Sequence, residues 1–369
     1  MRARNVVIGL ATLAFAGCGF SNGNDDDGSG SNDGGADSGP CILPDLGLTA
    51  DTLSGCSDPG TTDGVRGTAK FNNPVNVALG PSGIAYVVDF DSSLLRKVDP
   101  DGKVTTLFED PRFNRPFGII IASNGWLWIE CDDDVNAVHN NTSGTIWKIN
   151  PADPNSSGGA TPVFQGLMRP RGLALLGNQL AISDYLSMEI KLGDPTTGST
   201  TVLAGAYGIA TSVDGHGTGA TFNVPWDLVV DPTDNNYLLV TDWGDHSIRR
   251  VGLDGSVTTW AGAPGMAGNV DGALAVARFN NPKGLTVHDQ TIYVSDSTNH
   301  TIRKIENGIV STVSGKADGG YHDDMDPMAA QYYGIEGLDI SADGTRMVIA
   351  DGNNGDGSHF NHVRVLTLP

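Results

Sequence analysis

Residues 63–79 read DGVRGTAKFNNPVNVAL, residues 214–230 read DGHGTGATFNVPWDLVV, and residues 271–287 read DGALAVARFNNPKGLTV. The three stretches are nearly superimposable, and the chain continues in the same way after each. A turn leads to an apolar run ending in Asp, then a polar turn, then an Arg-bearing strand. Those segments are YVVDFDSSLLRKV (86–98), LLVTDWGDHSIRRV (238–251) and IYVSDSTNHTIRKI (292–305). Each copy closes on a Val-Thr-Thr-like strand: KVTTLF, SVTTWAG and IVSTVSG. Weaker copies open at Phe113-Asn114-Arg115-Pro116, at Arg169-Pro170-Arg171-Gly172 and at Tyr332-Tyr333-Gly334-Ile335-Glu336-Gly337. They bring the set to six.

Each copy offers four short β segments at a spacing of about forty to sixty residues, too little to bury a core alone. Packed radially, sheet face on sheet face, six such units close into a propeller. The pattern resembles the NHL repeat family from about residue 45 onward. The expected fold is all-β, a six-bladed β-propeller of NHL-type repeats over 45–369. The last copy lacks a fourth strand. Leu46–Gly55 matches the closing-strand pattern and is expected to complete the sixth blade, which removes the open edges of the ring.

Composition agrees with many short strands: 50 glycines and only 18% charged residues. The net charge of −21 repels phosphate backbones, so no nucleic-acid partner is expected. Residues 1–18 have the layout of an export signal. Arg2 and Arg4 precede the apolar run Val6–Ala16, which is too short to span a bilayer permanently. The run ends Phe15-Ala16-Gly17-Cys18, which resembles a bacterial lipobox with Cys18 as the lipidated residue. Gly19 after the cysteine implies, by resemblance to Gram-negative lipoproteins, an outer-membrane address; simple secretion is the alternative. The lipid would be the sole membrane contact. Residues 19–44 are an acidic Gly/Ser/Asn/Asp tether, unable to bury enough apolar area to order itself.

Cys41 and Cys56 flank a strand-like segment in an exported chain, which makes a disulfide between them expected, contributing roughly 3 kcal/mol. Cys131 reads as a buried, inert thiol in a strand. The Asp ending the second strand recurs as Asp89, Asp184, Asp242, Asp296 and Asp351. Recurrence points to a structural role, that of capping the turn after the strand. His246 and His300 share one repeat position and read the same way. Aspartates of the inter-blade loops, among them Asp63, Asp214 and Asp271, are expected on the loop face.

Departures from the repeat are the better binding candidates. These are Asp132, Asp133, Asp134 and His139 in a blade-two insertion, where Glu130 replaces a small residue; His322, Asp323, Asp324 and Asp326 in the last inter-blade loop; and Asp351 and Asp356 in a Gly/Asn-rich loop. Tyr185, Trp226 and Trp243 add aromatic surface. A divalent cation, calcium or zinc, is the cofactor such groups would take. No nucleophile elbow, phosphate loop or dinucleotide fingerprint is present. The leading expectation is a non-enzymatic module of the cell envelope that binds protein, peptide or glycan through its loop face. The resemblance also implies an alternative, a metal-dependent lyase or lactonase-like hydrolase.

Overall fold

The computed structural model describes Leu43 and residues 46–369. Cys18, Cys41 and most of the tether lie outside them, and with Cys41 the expected disulfide.

Six antiparallel sheets are arranged as the blades of a propeller. Blade one comprises Pro74–Leu79, Ala85–Asp89, Leu94–Val98 and Val104–Phe108. Blade two comprises Pro116–Ile121, Leu127–Cys131, Gly144–Ile149 and Ala160–Leu167. Blade three comprises Pro170–Leu176, Gln179–Asp184, Glu189–Asp194 and Ser199–Gly205. Blade four comprises Pro225–Val230, Tyr237–Asp242, Ser247–Gly252 and Ser256–Gly262. Blade five comprises Pro282–His288, Thr291–Asp296, Thr301–Glu306 and Ile309–Gly315. Blade six has Gly334–Ile340, Arg346–Gly352 and His362–Thr367, with Ala50–Ser54 antiparallel to the last of them. The expected ten-residue strand at 46–55 is thus shorter, and Ala50–Ser54 is buried throughout. Two-residue strands, Gly215–His216 and Gly272–Ala273, cover the outer edges of blades four and five.

The alternation of each strand explains the packing. Inward residues of one sheet meet the next sheet, so the core is a set of inter-blade layers rather than one central mass. Phe71, Phe113, Phe222, Phe279 and Tyr332, each fully buried, occupy the same repeat position ahead of an inner strand and wedge between blades. Most first strands begin at proline, where no ladder N–H is lost. They line the central channel. Among the described residues no helix is long and apolar enough to cross a membrane.

Candidate functional site

The recurring acidic residues are consumed by the scaffold. Arg96, Arg249, Arg303 and Arg364 stand at one position of the third strand and are fully buried. Each bridges two aspartates: Asp63 (2.8 Å) and Asp89 (3.4 Å); Asp214 (2.7 Å) and Asp242 (3.2 Å); Asp271 (2.6 Å) and Asp296 (2.7 Å); Asp323 (2.6 Å) and Asp351 (3.1 Å). Blade three keeps a version of this lock, Lys191 with Asp184 at 2.5 Å. Blade two has neither member: Cys131 stands for the aspartate and Trp147 for the arginine.

The strand-end aspartates do not cap the turn after the strand. Their carboxylates accept N–H groups from the segment entering the inner strand of the same blade: Asn72 to Asp89, Arg169 to Asp184, Asn223 to Asp242, Asn280 to Asp296 and Tyr333 to Asp351. The entry segment passes directly over the strand end, so its unpaired donors are the nearest ones. Asp63, Asp214 and Asp271 also depart from expectation. They bind the outer strand of their own blade at Thr106, Thr259 and Thr312, at the periphery of the propeller. His246 and His300 end short 3-10 turns with φ of 57° and 55°.

The residues that differ from blade to blade gather at the channel mouth. The residue that follows the partner of the strand-two aspartate (Cys131 in blade two) is Val75, Phe117, Arg171, Trp226, Lys283 and Glu336 in blades one to six. These six form a ring in that order. The Arg171 guanidinium lies 4.0 Å from the Phe117 ring centroid and 5.7 Å from that of Trp226. The Lys283 ammonium is 5.1 Å from Trp226 and 2.6 Å from Glu336. Trp226 is only half-buried, while the other members are almost completely enclosed. Strand-two hydroxyls hold the ring in place. Thr241 accepts from the Asp227 N–H at 2.9 Å and donates to the Lys283 carbonyl at 2.6 Å. Ser295 does the same between Gly284 and Glu336, both at 2.6 Å.

In blade two that hydroxyl position is Glu130, fully buried, with neither carboxyl oxygen hydrogen-bonded. Burial drives its pKa well above the usual carboxylate range, and the Arg171 charge only partly offsets this. Gly118 is required beside it, because a Cβ there would meet Glu130 Oε2 at 2.2 Å. Below the ring, the channel contains a cavity of about 440 Å³ lined in part by Asn76, Asp227, Thr286 and Asp339, reaching the turn at Gly80-Pro81 on the opposite face. Enclosure pushes the Asp227 carboxyl up to about 7. Its oxygens accept from the Leu228 N–H and, across the blade boundary, the Leu285 N–H, both at 2.8 Å.

The blade-two insertion reaches this mouth. Asp132 clamps Arg171 with both oxygens, at 2.6 and 3.2 Å. Asp133 accepts from His139 Nδ1 at 2.6 Å, which leaves Nε2 of His139 as an acceptor facing Arg115 at 3.5 Å and in contact with Arg169. Asp134 caps its own turn at Asn136 and Val138. Arg169 continues to the Tyr185 hydroxyl at 3.3 Å. Tyr185, Trp226 and Trp243 form a continuous, half-exposed aromatic run, with centroid steps of 5.6 and 5.9 Å and interplanar angles of 38° and 31°.

The remaining candidates are held in place elsewhere. Asp323 binds Arg364 and Thr52, His322 pairs with Asp324 at 3.1 Å, and Asp326 caps Met328, all against blade six and its N-terminal strand. Asp351 belongs to the Arg364 lock, and Asp356 accepts from the Tyr333 hydroxyl and the Ser358 N–H. Among the described residues, no three His, Cys, Asp or Glu side chains are grouped to hold a metal ion. Arg171, Lys283 and Glu336 are absent from the sequence-based candidates, most of which lie on loops. A signal for them was present: one position inside the inner strand differs in chemistry from copy to copy.

Residues 279–305, the first three strands of blade five, match the NHL repeat model. Blade five is an NHL repeat. The chain is 25% identical over 304 residues to human NHL repeat-containing protein 2, covering 68% of this chain and 41% of that protein. It spans less than half the length of each curated relative it matches. An auxiliary nutrient binding protein from Bacteroides ovatus shares the fold with a TM-score of 0.65 at 19% identity, covering 86% of this chain and 75% of that one. A streptogramin B lyase does so with a TM-score of 0.53 at 13% identity, covering 81% and 94%. The propeller fold is therefore shared by a binding protein and a lyase, and fold alone does not choose between them.

Proposed function

We propose that this NHL-type propeller is a ligand-binding module of the cell envelope that engages a protein, peptide or glycan through its loop face, without chemical turnover. The observation that carries the reading is the Tyr185–Trp226–Trp243 run, half-exposed over the channel ring, where Arg171 and Lys283 are already paired with Asp132 and Glu336. Paired charges rigidify a surface and are poor nucleophiles or bases, whereas exposed aromatic faces supply contact area at low entropic cost. The likeness to a nutrient-binding protein of the same fold is consistent with this role.

Purified protein screened against glycan and peptide arrays should give a ligand whose affinity falls about thirtyfold or more in Trp226→Ala, a typical hot-spot loss of about 2 kcal/mol or more. Hydrolysis or elimination of a lactone or peptidyl substrate at enzyme-like rates, with a stoichiometric divalent ion found by elemental analysis, would replace this reading with the metal-dependent enzyme. Envelope display rests on Cys18. Cys18→Ser should abolish incorporation of labelled fatty acid and move the protein out of the membrane fraction.

A further inference from the structure

Resting on that reading, we infer that the ligand is a carboxylated polysaccharide, held with a sugar ring on the Tyr185–Trp226–Trp243 run and a carboxylate between Arg115 and Arg169. The chain carries a net charge of −21, and nearly all of its buried arginines are matched by carboxylates. At the blade-two rim, by contrast, neither Arg115 nor Arg169 has an acidic group within 4.0 Å among the described residues. Both instead lean on the one lone pair of His139 Nε2, whose opposite nitrogen is committed to Asp133. Arg169 Nε is buried without a hydrogen-bond partner. Asp91, the carboxylate whose field reaches Arg115, does so only at longer range. Two half-buried guanidiniums thus converge with donors to spare, the arrangement that recognises a planar anion by paired N–H···O bonds.

The neighbouring surface selects the class of molecule. Arg169 touches the Tyr185 hydroxyl, so the cationic pair and the aromatic run are one continuous surface. A peptide is usually gripped by a free sheet edge or by apolar pockets. At the mouth the inner strands turn their free edges into the channel, away from the half-buried rings, which lie in a tilted row among amide, guanidinium and imidazole groups. A pyranose suits that surface, with its C–H face against an aromatic ring and its hydroxyls toward planar polar side chains.

The test is calorimetric titration of the purified protein with polygalacturonate, alginate, highly methyl-esterified pectin, a neutral glucan and poly-glutamate. Polygalacturonate or alginate should bind, methyl esterification should weaken binding about tenfold or more, and raised salt should do likewise. Arg115→Ala/Arg169→Ala should lose that preference, with circular dichroism confirming the fold, while Arg115→Lys retains part of it. Neutral glucan bound as well as polygalacturonate, lost in Trp226→Ala and unaffected by the arginine changes, would overturn the carboxylate inference and leave the loop-face reading standing. Preference for poly-glutamate, or no binding of either acidic glycan, would overturn the inference as well. Binding of any ligand that is indifferent to Trp226→Ala and to both arginines would overturn both readings.

Discussion

Arg303 shows how much one residue settles in this molecule. Its guanidinium ties the strand-end Asp296 to the loop Asp271 while lying over the Phe279 ring at 5.3 Å, and the set recurs around Arg96, Arg249 and Arg364. Arg303→Ala leaves Asp296 buried without its counter-charge, with only the Asn280 N–H and Asn299 amide as donors. Urea denaturation should register a loss of about 3 to 5 kcal/mol, the range for breaking a buried pair. Replacing Arg303 and Asp296 together by apolar residues should cost less than the single change. The strand-end aspartate was legible as structural because it repeats. Its true partners were not, since they come from a segment some seventeen residues upstream that only the closed blade brings overhead. Gly118 is a second such point. Gly118→Ala would drive a methyl into Glu130 and the Arg171 carbonyl, and it should weaken ligand binding at the mouth along with stability.

At the level of elements, the strand Ala50–Ser54 carries the same weight as any strand inside a blade. Leu53 is almost fully buried in a cluster with Phe71, Val348 and Val363. If the strand is integral to the sixth sheet, Leu53→Ala should cost about 2 to 5 kcal/mol in an equilibrium denaturation, as for a core leucine elsewhere. A loss below about 1 kcal/mol would mean a strand merely laid against the edge. Strand order was readable from the repeat. Strand ends were not: Leu46–Thr49 fits the closing-strand pattern, yet its N–H groups at Gly47 and Leu48 turn back to Asp51 instead of joining the ladder. A local carboxylate outcompetes the sheet there.

At the scale of the whole molecule, buried acids and net charge act in one direction. Burial pushes Asp89, Asp242 and Asp296 up to about 6 and Asp227 to about 7. Their unfolded value is about 3.9, so the native state holds these protons more tightly. The stability they contribute is complete below about 4 and is lost as pH rises through about 6 to 7. The loop aspartates Asp63, Asp214 and Asp271 run oppositely. Burial alone would raise them, but bonds from their threonine and arginine partners hold them below the usual range, so their contribution is lost as pH falls below about 4. The denaturation midpoint should therefore be higher at pH 5 than at pH 8. The difference should persist in about 0.5 M salt, where repulsion among the surface charges is screened.

Six blades, the order of their strands and the structural character of the repeated aspartates are legible in the chain alone, because a repeat states the same local problem six times and its solution is local. The irregular blade-two loop stands out there too. Which irregular residues meet is a property of the folded ring. Asp132 and Arg171 are 39 positions apart, and Trp226 and Lys283 lie on separate blades. Closing a ring brings one residue from each inner strand to a common mouth, while it scatters His322–Asp326 and Asp63 to the rim. Periodicity encodes each blade; the convergence that makes a binding surface belongs to the circle.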